Sequence, residues 1–263
     1  MLITGAASGL GQALTRQLVT RGDQVLATDL ATDRPLSLPT GVDYLPLDVR
    51  SDDAWANALG QVTETWGGLD LLINNAGVGS AGRIETTTMK EWERVLDIDL
   101  LGVVRGARTF VPLLKAQGSG HVVNVASLAG LTPAEGMVAY ATAKAGVVAL
   151  SEVLEQELGE FGVNVSVVCP YYFQSNIGDS LAGEDDKSEA AIRTAATYSK
   201  LTSDDVAAIV IKGIDARKDV ILTEPEGHIL WRAKRFARPA YKWLLAKANS
   251  RGVSSPDSLP GKG

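Results

Sequence analysis

Residues 2–29 read LITGAASGLGQALTRQLVTRGDQVLATD, and this stretch decides the fold. A short apolar strand leads into a glycine turn, a helical pattern follows, and Gly22 ends that helix. A second apolar strand then covers residues 24–29. A strand, a turn, a helix and a second strand within about thirty residues predict a βαβ unit, in which the two strands lie parallel.

The rest of the chain alternates in the same way. Further strands are predicted at 42–49, 69–75, 122–126, 164–169 and 219–222, and helices at 51–66, 89–114, 140–161 and 206–216. Short strands rich in Val, Ile and Leu are typical of a parallel sheet that is covered on both faces. The pattern predicts an α/β fold, a doubly wound and mostly parallel seven-stranded sheet with helices on both faces, in one domain over 1–227.

Composition excludes several classes of protein. The chain has 263 residues and a net charge of -6, so a nucleic-acid partner is not expected. No apolar run reaches about eighteen residues, and Met1 to Ile3 lead directly into the glycine turn, so neither a membrane span nor a signal peptide is visible. A single cysteine, Cys169, excludes an internal disulfide, and with only two histidines no metal site is expected. These features predict a cytoplasmic protein.

The C-terminal segment differs in charge from the body. Residues 228–263 carry eight Lys or Arg and one acid, whereas residues 1–227 carry 17 basic and 30 acidic residues. Apolar residues at helical spacing predict a basic amphipathic extension over 228–252, which Pro239 kinks or divides, and a disordered tail over 253–263. This extension can pack on the protein over the substrate pocket, make a peripheral contact with an anionic membrane, or bind a partner such as another subunit, and the sequence leaves the three open.

The glycine turn is the first candidate binding site. Gly5, Gly9 and Gly11 would expose backbone N–H groups and a helix N-terminus where a pyrophosphate can bind. Their spacing differs from the G-x-G-x-x-G fingerprint of dinucleotide-binding proteins, so a plain glycine-rich turn is the alternative interpretation.

Asp29 favours the cofactor interpretation. It ends the second strand about twenty residues after the turn, where an acid binds a ribose 2′-hydroxyl and repels a 2′-phosphate. No Arg or Lys stands at Ser8 or Leu30 to bind such a phosphate, so the sequence favours NAD over NADP. The alternative is a solvated acid at the end of a strand.

Tyr140 and Lys144 lie one turn apart on a predicted helix. A free tyrosine has a pKa near ~10 and is a poor base at neutral pH, but a fixed ammonium beside it favours the phenolate and lowers that pKa. Ser127 follows the strand at 122–126, from which its hydroxyl can face the next helix. The hypothesis is that Tyr140 is a general acid/base, that Lys144 tunes it and that Ser127 orients a substrate oxygen.

Four motifs together resemble the short-chain dehydrogenase/reductase family. They are Thr4-Gly5-x-x-x-Gly9-x-Gly11, Asn74-Asn75-Ala76-Gly77, Ser127 and Tyr140-x-x-x-Lys144, in the order and spacing of the family over roughly residues 1–225. The resemblance implies a Rossmann-type fold, with one site at the carboxyl ends of the strands and a nicotinamide cofactor. It places the cofactor at the glycine turn with Ser8 and Leu10, the adenine between Asp48 and Val49, and Asn75, Ala76 and Gly77 behind the cofactor.

The resemblance also implies the chemistry. Tyr140 exchanges a proton with the substrate oxygen while hydride moves to or from the nicotinamide. Lys144 also holds the nicotinamide ribose, and Ser127 hydrogen-bonds the substrate oxygen. Helices at about 100–115 and 141–160 form the usual subunit contact in the family, so a homodimer or homotetramer is expected.

Asp99 is a first departure from the family's pattern. Many members have an Asn here, whose main-chain carbonyl contacts the Lys through a water. An ionised Asp99 would oppose a tyrosinate at Tyr140 and raise the pKa of that residue. We therefore expect an alkaline-shifted pH optimum for oxidation.

A second departure follows the sixth predicted strand. The family usually has Pro-Gly-x-x-x-Thr, and this chain has Pro170-Tyr171-Tyr172-Phe173-Gln174-Ser175. Pro170, Phe173 and Ser175 are expected at the cofactor, with the Ser175 hydroxyl on the carboxamide. Tyr171 and Tyr172 either form an apolar wall of the substrate pocket or pack beneath the polar segment 176–200.

The sequence thus predicts an NAD(H)-dependent oxidoreductase that interconverts a secondary alcohol and its ketone. The aromatic run favours a bulky apolar substrate, such as a steroid, lipid or aromatic alcohol. A polyol or sugar dehydrogenase and a non-catalytic nucleotide-binding protein of the same fold are the alternatives. His121, His228 and Cys169 are expected to be structural or exposed.

Overall fold

A computed structural model of the chain describes residues 1–174 and 185–243. Within these ranges, seven strands form one sheet in the order β3-β2-β1-β4-β5-β6-β7, and every neighbouring pair is parallel. The strands are β1 (Leu2–Thr4), β2 (Leu26–Asp29), β3 (Asp43–Pro46), β4 (Leu71–Asn74), β5 (Gly120–Val125), β6 (Val163–Cys169) and β7 (Val220–Leu222). The predicted fold class, a doubly wound Rossmann-type α/β fold, is confirmed.

Helices cover both faces of the sheet. They are α1 (Gly9–Arg21), α2 (Asp52–Trp66), α3 (Met89–Leu96), α4 (Gly102–Gln117), α5 (Leu128–Leu131), α6 (Val138–Leu158), α7 (Asp186–Thr197), α8 (Ser203–Asp215) and α9 (Pro225–Phe236). Local signals set several of their ends. Ser51 accepts a hydrogen bond from the Ala54 amide at the start of α2, and Gly22 ends α1 in the left-handed conformation with φ 98°.

Two predicted segments differ from the structure. The helix expected at 89–114 is divided into α3 and α4 by a π-helical turn, Asp97–Leu101, which brings the side chain of Asp99 into the interior. The polar segment 176–200 contains helix α7, whose first turn is capped by the Asp185 carboxylate. Its two buried residues, Ile192 and Ala196, lie four apart among many charges, so composition hid the helix.

The core has two layers because successive strand residues point to opposite faces of the sheet. Ile3 packs in the layer beneath α1 and α8, whereas its neighbour Leu2 packs in the layer beneath α2 and α4. Both layers are built from fully buried aliphatic side chains, with Trp55 and Phe110 in the second. The two layers hold the strands rigidly, which fixes the positions of the turns at their carboxyl ends.

The described part of the C-terminal extension packs on the protein. Leu230 and Trp231 of α9 contact the core, and the Lys234 ammonium donates to the Leu131 carbonyl. The helix ends before Ala237 and resumes at Arg238, next to the predicted division at Pro239. Residues 244–263, with the predicted tail, lie outside the described residues, and the domain boundaries stay predictions. Across 1–174 and 185–243, no helix combines the length and the apolar character that crossing a bilayer requires.

Candidate active site

The carboxyl ends of the parallel strands meet at one edge of the sheet, where a cleft of about 610 Å³ opens. Most of the predicted site residues line it: Gly5, Ser8, Gly9, Leu10, Asp29, Asp48, Val49, Asn75, Ala76, Gly77, Asp99, Ser127, Tyr140, Lys144, Pro170, Tyr171, Tyr172 and Phe173. Gly11 is not part of the lining, and Ser175 lies outside the described residues. Residues predicted separately are therefore brought to one place.

The glycine turn is built by close approach of backbone atoms. Gly5 and Gly9 have φ values of 65° and 51°, a region that favours glycine. A Cβ on Gly5 would lie 2.8 Å from the Ala76 Cα, and one on Gly11 would lie 2.1 Å from the Gly5 carbonyl oxygen. Gly11 therefore lets α1 pack against the turn, while Gly9, around which a Cβ would meet nothing within 4 Å, leaves an open cradle at the helix N-terminus.

Hydrogen bonds join the turn after β4 to the turn after β1. The Thr4 hydroxyl accepts from the amides of Asn75 and Ala76, each at 3.0 Å. The Asn75 side chain in turn donates to the Thr4 carbonyl at 2.8 Å. Beneath them, Asn74 donates to the Asn124 side chain at 2.9 Å, which links the ends of β4 and β5. The floor of the cleft is thus preorganised by the two asparagines.

Asp29 is held at the end of β2 by two backbone amides. Its Oδ2 accepts from Ala7 and its Oδ1 from Leu30, each at 2.8 Å. The carboxylate therefore has a fixed orientation at the cleft. A cation that the sequence interpretation missed, Arg50, also lines this end, where it pairs with Asp48 at 2.7 Å and holds the pKa of that carboxyl below its usual range. The spacing of the pair, Asp48-x-Arg50, was the signal that could have found it.

Ser127, Tyr140 and Lys144 converge at the other end of the cleft. Ser127 caps α5 by accepting from the Ala129 amide at 3.1 Å, and it hydrogen-bonds the side chain of Tyr140. Tyr140 is buried, and the Lys144 ammonium lies 5.7 Å from the centre of its ring. Lys144 also donates to the Val125 carbonyl at the end of β5, at 3.2 Å. Ser127, in the turn after β5, therefore lies in one site with Tyr140 and Lys144 of α6.

Asp99 lies beside Lys144 in the interior. Its Oδ2 is 3.4 Å from the Lys144 ammonium, and its Oδ1 accepts from the Val78 amide at 2.8 Å. Burial raises the pKa of this carboxyl, against the opposing influence of Lys144. The sequence interpretation placed Asp99 near the Lys, and the structure adds that the two side chains form an ion pair.

The proton of Tyr140 is held firmly in this arrangement. Burial is the main cause that raises the pKa of the phenol, the negative charge of Asp99 raises it further, and the hydrogen bond from Ser127 opposes both. The expected lowering by Lys144 is therefore outweighed. Tyr140 is neutral at physiological pH, in the state of a proton donor.

Aromatic and aliphatic side chains line the cleft beside Tyr140. The rings of Tyr171 and Tyr172 lie 4.9 Å apart and both line the cleft. Tyr172 also packs against Met137 and Ile192 in a small apolar cluster. It therefore combines the two alternatives that the sequence left open, lining the cleft and packing against the segment 176–200. Helix α7 closes this end with Ile192 and Ala196, which the sequence interpretation missed, and α9 closes it with Leu230.

The two histidines and the cysteine are not among the residues that line the cleft. His121 is buried at the start of β5, with its Nε2 2.8 Å from the Ser166 hydroxyl. Cys169 is buried at the end of β6, where burial raises the pKa of the thiol to about 12. His228 is exposed on α9. Among the described residues, no group of three His, Cys, Asp or Glu side chains is arranged to hold a metal ion.

Comparison with known proteins identifies the family. The family model described as short chain dehydrogenase matches residues 1–186. The chain belongs to the short-chain dehydrogenase/reductase family. As a member of this family, it is an oxidoreductase that acts on CH–OH groups.

Three relatives in this family are similar at modest identity. Trans-4-hydroxycyclohexanecarboxylate dehydrogenase of Sinomonas cyclohexanicum is 36% identical over 182 residues, which are 64% of this chain and 70% of that protein. The 3-alpha-(or 20-beta)-hydroxysteroid dehydrogenase of Mycobacterium tuberculosis is 32% identical over 173 residues, which are 64% and 66%. "Probable oxidoreductase EphD" of the same organism is 30% identical over 89% of this chain, but the match spans only 42% of that longer protein.

A solved structure extends the likeness over the whole chain. A short chain dehydrogenase/reductase from Burkholderia phymatum, in complex with NAD, is 26% identical, covers 100% of this chain and 97% of its own, and has a TM-score of 0.78. The cleft fits a nicotinamide dinucleotide, because the open cradle at Gly9 suits a pyrophosphate and the fixed Asp29 carboxylate suits a ribose hydroxyl.

Proposed function

We propose that this short-chain dehydrogenase interconverts a secondary alcohol and its ketone with NAD(H), and that its substrate is bulky, apolar and uncharged. The observation that carries the proposal is the convergence of Ser127, Tyr140 and Lys144 on a cleft whose other half holds the glycine turn and Asp29. The cofactor supplies a hydride acceptor or donor when bound. The protein supplies the proton and the orientation.

The chain's own residues account for the proton. In alcohol oxidation, the O–H bond of the substrate breaks as its proton moves to the oxygen of Tyr140 in its phenolate form, and the carbon-bound hydrogen leaves with its electron pair as the hydride that a bound NAD would accept. In carbonyl reduction, Tyr140 donates its proton to the oxygen. Ser127 donates a hydrogen bond to the same oxygen, where charge develops in the transition state. The neutral resting state of Tyr140 suits the donor role.

NAD is the cofactor that the charges favour. Both oxygens of Asp29 are held by backbone amides, so the carboxylate stays at the ribose end of the cleft. Arg50, the cation at that end, is already paired with Asp48. A 2′-phosphate would therefore meet an acid rather than an available base.

The apolar substrate class rests on the lining of the catalytic end. Met137, Tyr172, Ile192 and Leu230 contribute it, and a polyol or sugar would leave its hydroxyls without partners against such walls. The hydroxysteroid dehydrogenase among the relatives acts on a substrate of this kind. Arg94, a cation that lines the cleft, is held in an ion pair by Glu91 at 2.8 Å, which disfavours an anionic substrate.

Assembly and location stay predictions. The sequence predicts a homodimer or homotetramer through α4 and α6 and a cytoplasmic location, and it leaves a peripheral membrane contact of the basic extension open. Sedimentation of the whole chain measures the first. Flotation with liposomes, with and without residues 228–263, measures the last.

The decisive test is a reduction assay with NAD and NADP across secondary alcohols of graded size and polarity. We expect activity with NAD that increases with apolar bulk, and a loss of about 10²-fold or more in Tyr140→Phe. Activity that survives in Tyr140→Phe would contradict the mechanism. NAD binding without turnover of any alcohol or ketone would favour a non-catalytic nucleotide-binding protein, and a preference for polyols would favour the sugar dehydrogenase alternative.

A further inference from the structure

Asp99 and Lys144 form an ion pair that is shielded from solvent. The two charged groups are 3.4 Å apart, and the side chains are 0% and 4% exposed. At such burial, salt and solvent screen charge interactions much less than at the surface. The charge of Asp99 therefore acts strongly on neighbouring ionisable groups.

The carboxylate is also held rigidly. Its Oδ1 accepts a hydrogen bond from the Val78 amide, and its backbone belongs to the π-helical turn Asp97–Leu101. A Cβ on Gly77 would lie 3.2 Å from the Lys144 ammonium and 3.4 Å from the Asp99 Oδ1, so the turn after β4 closes tightly over the pair. Within the described ranges, Oδ2 has no hydrogen-bond partner, and the Lys144 ammonium lies 3.4 Å from it.

We propose that Asp99 is a positioning residue, whose carboxylate offsets the charge of the Lys144 ammonium and thereby governs how readily Tyr140 gives up its proton. The inference rests on the proposed function, since it concerns the proton that Tyr140 exchanges with the substrate. It assigns to the carboxylate side chain a control that a neutral residue at this position cannot exert.

The surrounding groups leave this control to Asp99. Arg94 of α3 acts on Asp99 from one side and is itself paired with Glu91. Ser127, Cys169 and Tyr172 reach Tyr140 from other elements, and Lys144 lies one turn further along the same helix. Serine, the thiol and the second phenol are neutral at physiological pH. Burial acts on every variant alike, so the balance between the charges of Lys144 and Asp99 is the electrostatic effect that a substitution at Asp99 changes at Tyr140.

The consequence of removing the carboxylate follows from that balance. With Asp99 ionised, its charge offsets that of Lys144, and a phenolate at Tyr140 gains little. With an Asn in its place, the ammonium keeps its bond to the Val125 carbonyl and its charge is no longer offset. The phenolate is then favoured, by an amount that corresponds to a shift of about one pH unit or more.

The test compares Asp99→Asn with Asp97→Asn in the full-length chain. Asp97 lies in the same π-helical turn, is 37% exposed and pairs with Arg105 at 2.8 Å, so the control removes the same charge from the other side of the helix. Two quantities are measured: the pH dependence of alcohol oxidation, and the ultraviolet absorbance of the Tyr140 phenolate, taken as the difference from the matching Tyr140→Phe variant. NAD affinity verifies that each variant is folded.

We expect Asp99→Asn to lower both midpoints by about one pH unit or more, and Asp97→Asn to leave them within about 0.3 unit. Equal shifts in the two variants, or none in either, would overturn the inference. If Asp99→Asn fails to fold, Asp99→Ser provides a second neutral side chain. A shift in absorbance without turnover of any substrate would count against the proposed function while supporting the pairing of Asp99 with Tyr140.

Discussion

At the scale of single residues, the glycine turn depends on contacts that leave no room for a methyl group. Gly11 is the tightest case, because a Cβ there would lie 2.1 Å from the Gly5 carbonyl oxygen and 2.5 Å from the Asn75 side chain. The same Asn75 side chain bonds the Thr4 carbonyl, so a displacement at Gly11 reaches both turns of the cradle. The cofactor site and the packing of α1 are therefore coupled, because both depend on the absence of a side chain at Gly11.

Gly11→Ala is predicted to destabilise the protein by about 1–3 kcal/mol and to weaken NAD binding, because backbone atoms must move. Urea unfolding and a fluorescence titration with NAD measure the two effects. Gly60→Ala is the matched control, since Gly60 lies inside α2 and a Cβ there meets nothing within 4 Å. That variant should gain about 0.5–1 kcal/mol from its better helix propensity. Equal stability of the two variants would contradict the packing argument.

At the scale of elements, α9 serves the cleft as well as the core. Leu230 lines the cleft on one side of the helix, and the adjacent Ile229 is 63% exposed on the other. The Lys234 ammonium ties the helix to the carbonyl of Leu131, at the end of α5. Because Ser127 caps that same α5, the C-terminal helix and the catalytic end are joined through one short element.

Leu230→Ala is predicted to raise the KM for bulky apolar alcohols roughly fivefold, since it removes about 1 kcal/mol of apolar contact, while kcat changes less than about twofold. Steady-state kinetics with a large and a small alcohol measure this, and the small alcohol should be nearly unaffected. Ile229→Ala removes a similar side chain one position earlier, on the exposed side. A comparable KM effect in both variants would show that the helix acts through stability rather than through the cleft.

At the scale of the whole molecule, the sequence predicted what local spacing controls. The glycine turn, Asp29 and the Tyr140 and Lys144 pair depend on neighbours close in the chain, so their geometry followed from the βαβ pattern and the helical repeat. Ile192 and Ala196 were missed because they come from a helix joined to the cleft only by tertiary packing. The sequence predicted that Asp99 lies near Lys144 but did not predict their ion pair. That contact spans 45 positions of sequence and depends on the π-helical turn.

The stability of the molecule in acid depends on a histidine far from the cleft. His121 is buried at the amino-terminal edge of the sheet, beside Ser166, whose hydroxyl donates to the Lys218 carbonyl. Burial, aided by the charge of Arg217, lowers the pKa of His121 to about 4. The unfolded chain has a pKa near 6.5 at this residue. Between these values the unfolded state binds more protons, so the free energy of unfolding falls as the pH drops from 6.5 towards 4.

His121→Gln, which cannot titrate but can still donate to Ser166, is predicted to remove this part of the acid sensitivity. Between pH 7.5 and 4.5 the natural protein should lose about 2 kcal/mol more of its unfolding free energy than the variant does. Urea unfolding at the two pH values measures the difference. His228→Gln is the control, because His228 is the second of the two histidines and is exposed on α9. If both variants lose the same unfolding free energy on acidification as the natural protein, His121 takes up its proton in the folded state as well. The inference that a neutral, buried imidazole joins β5 to β6 would then be wrong.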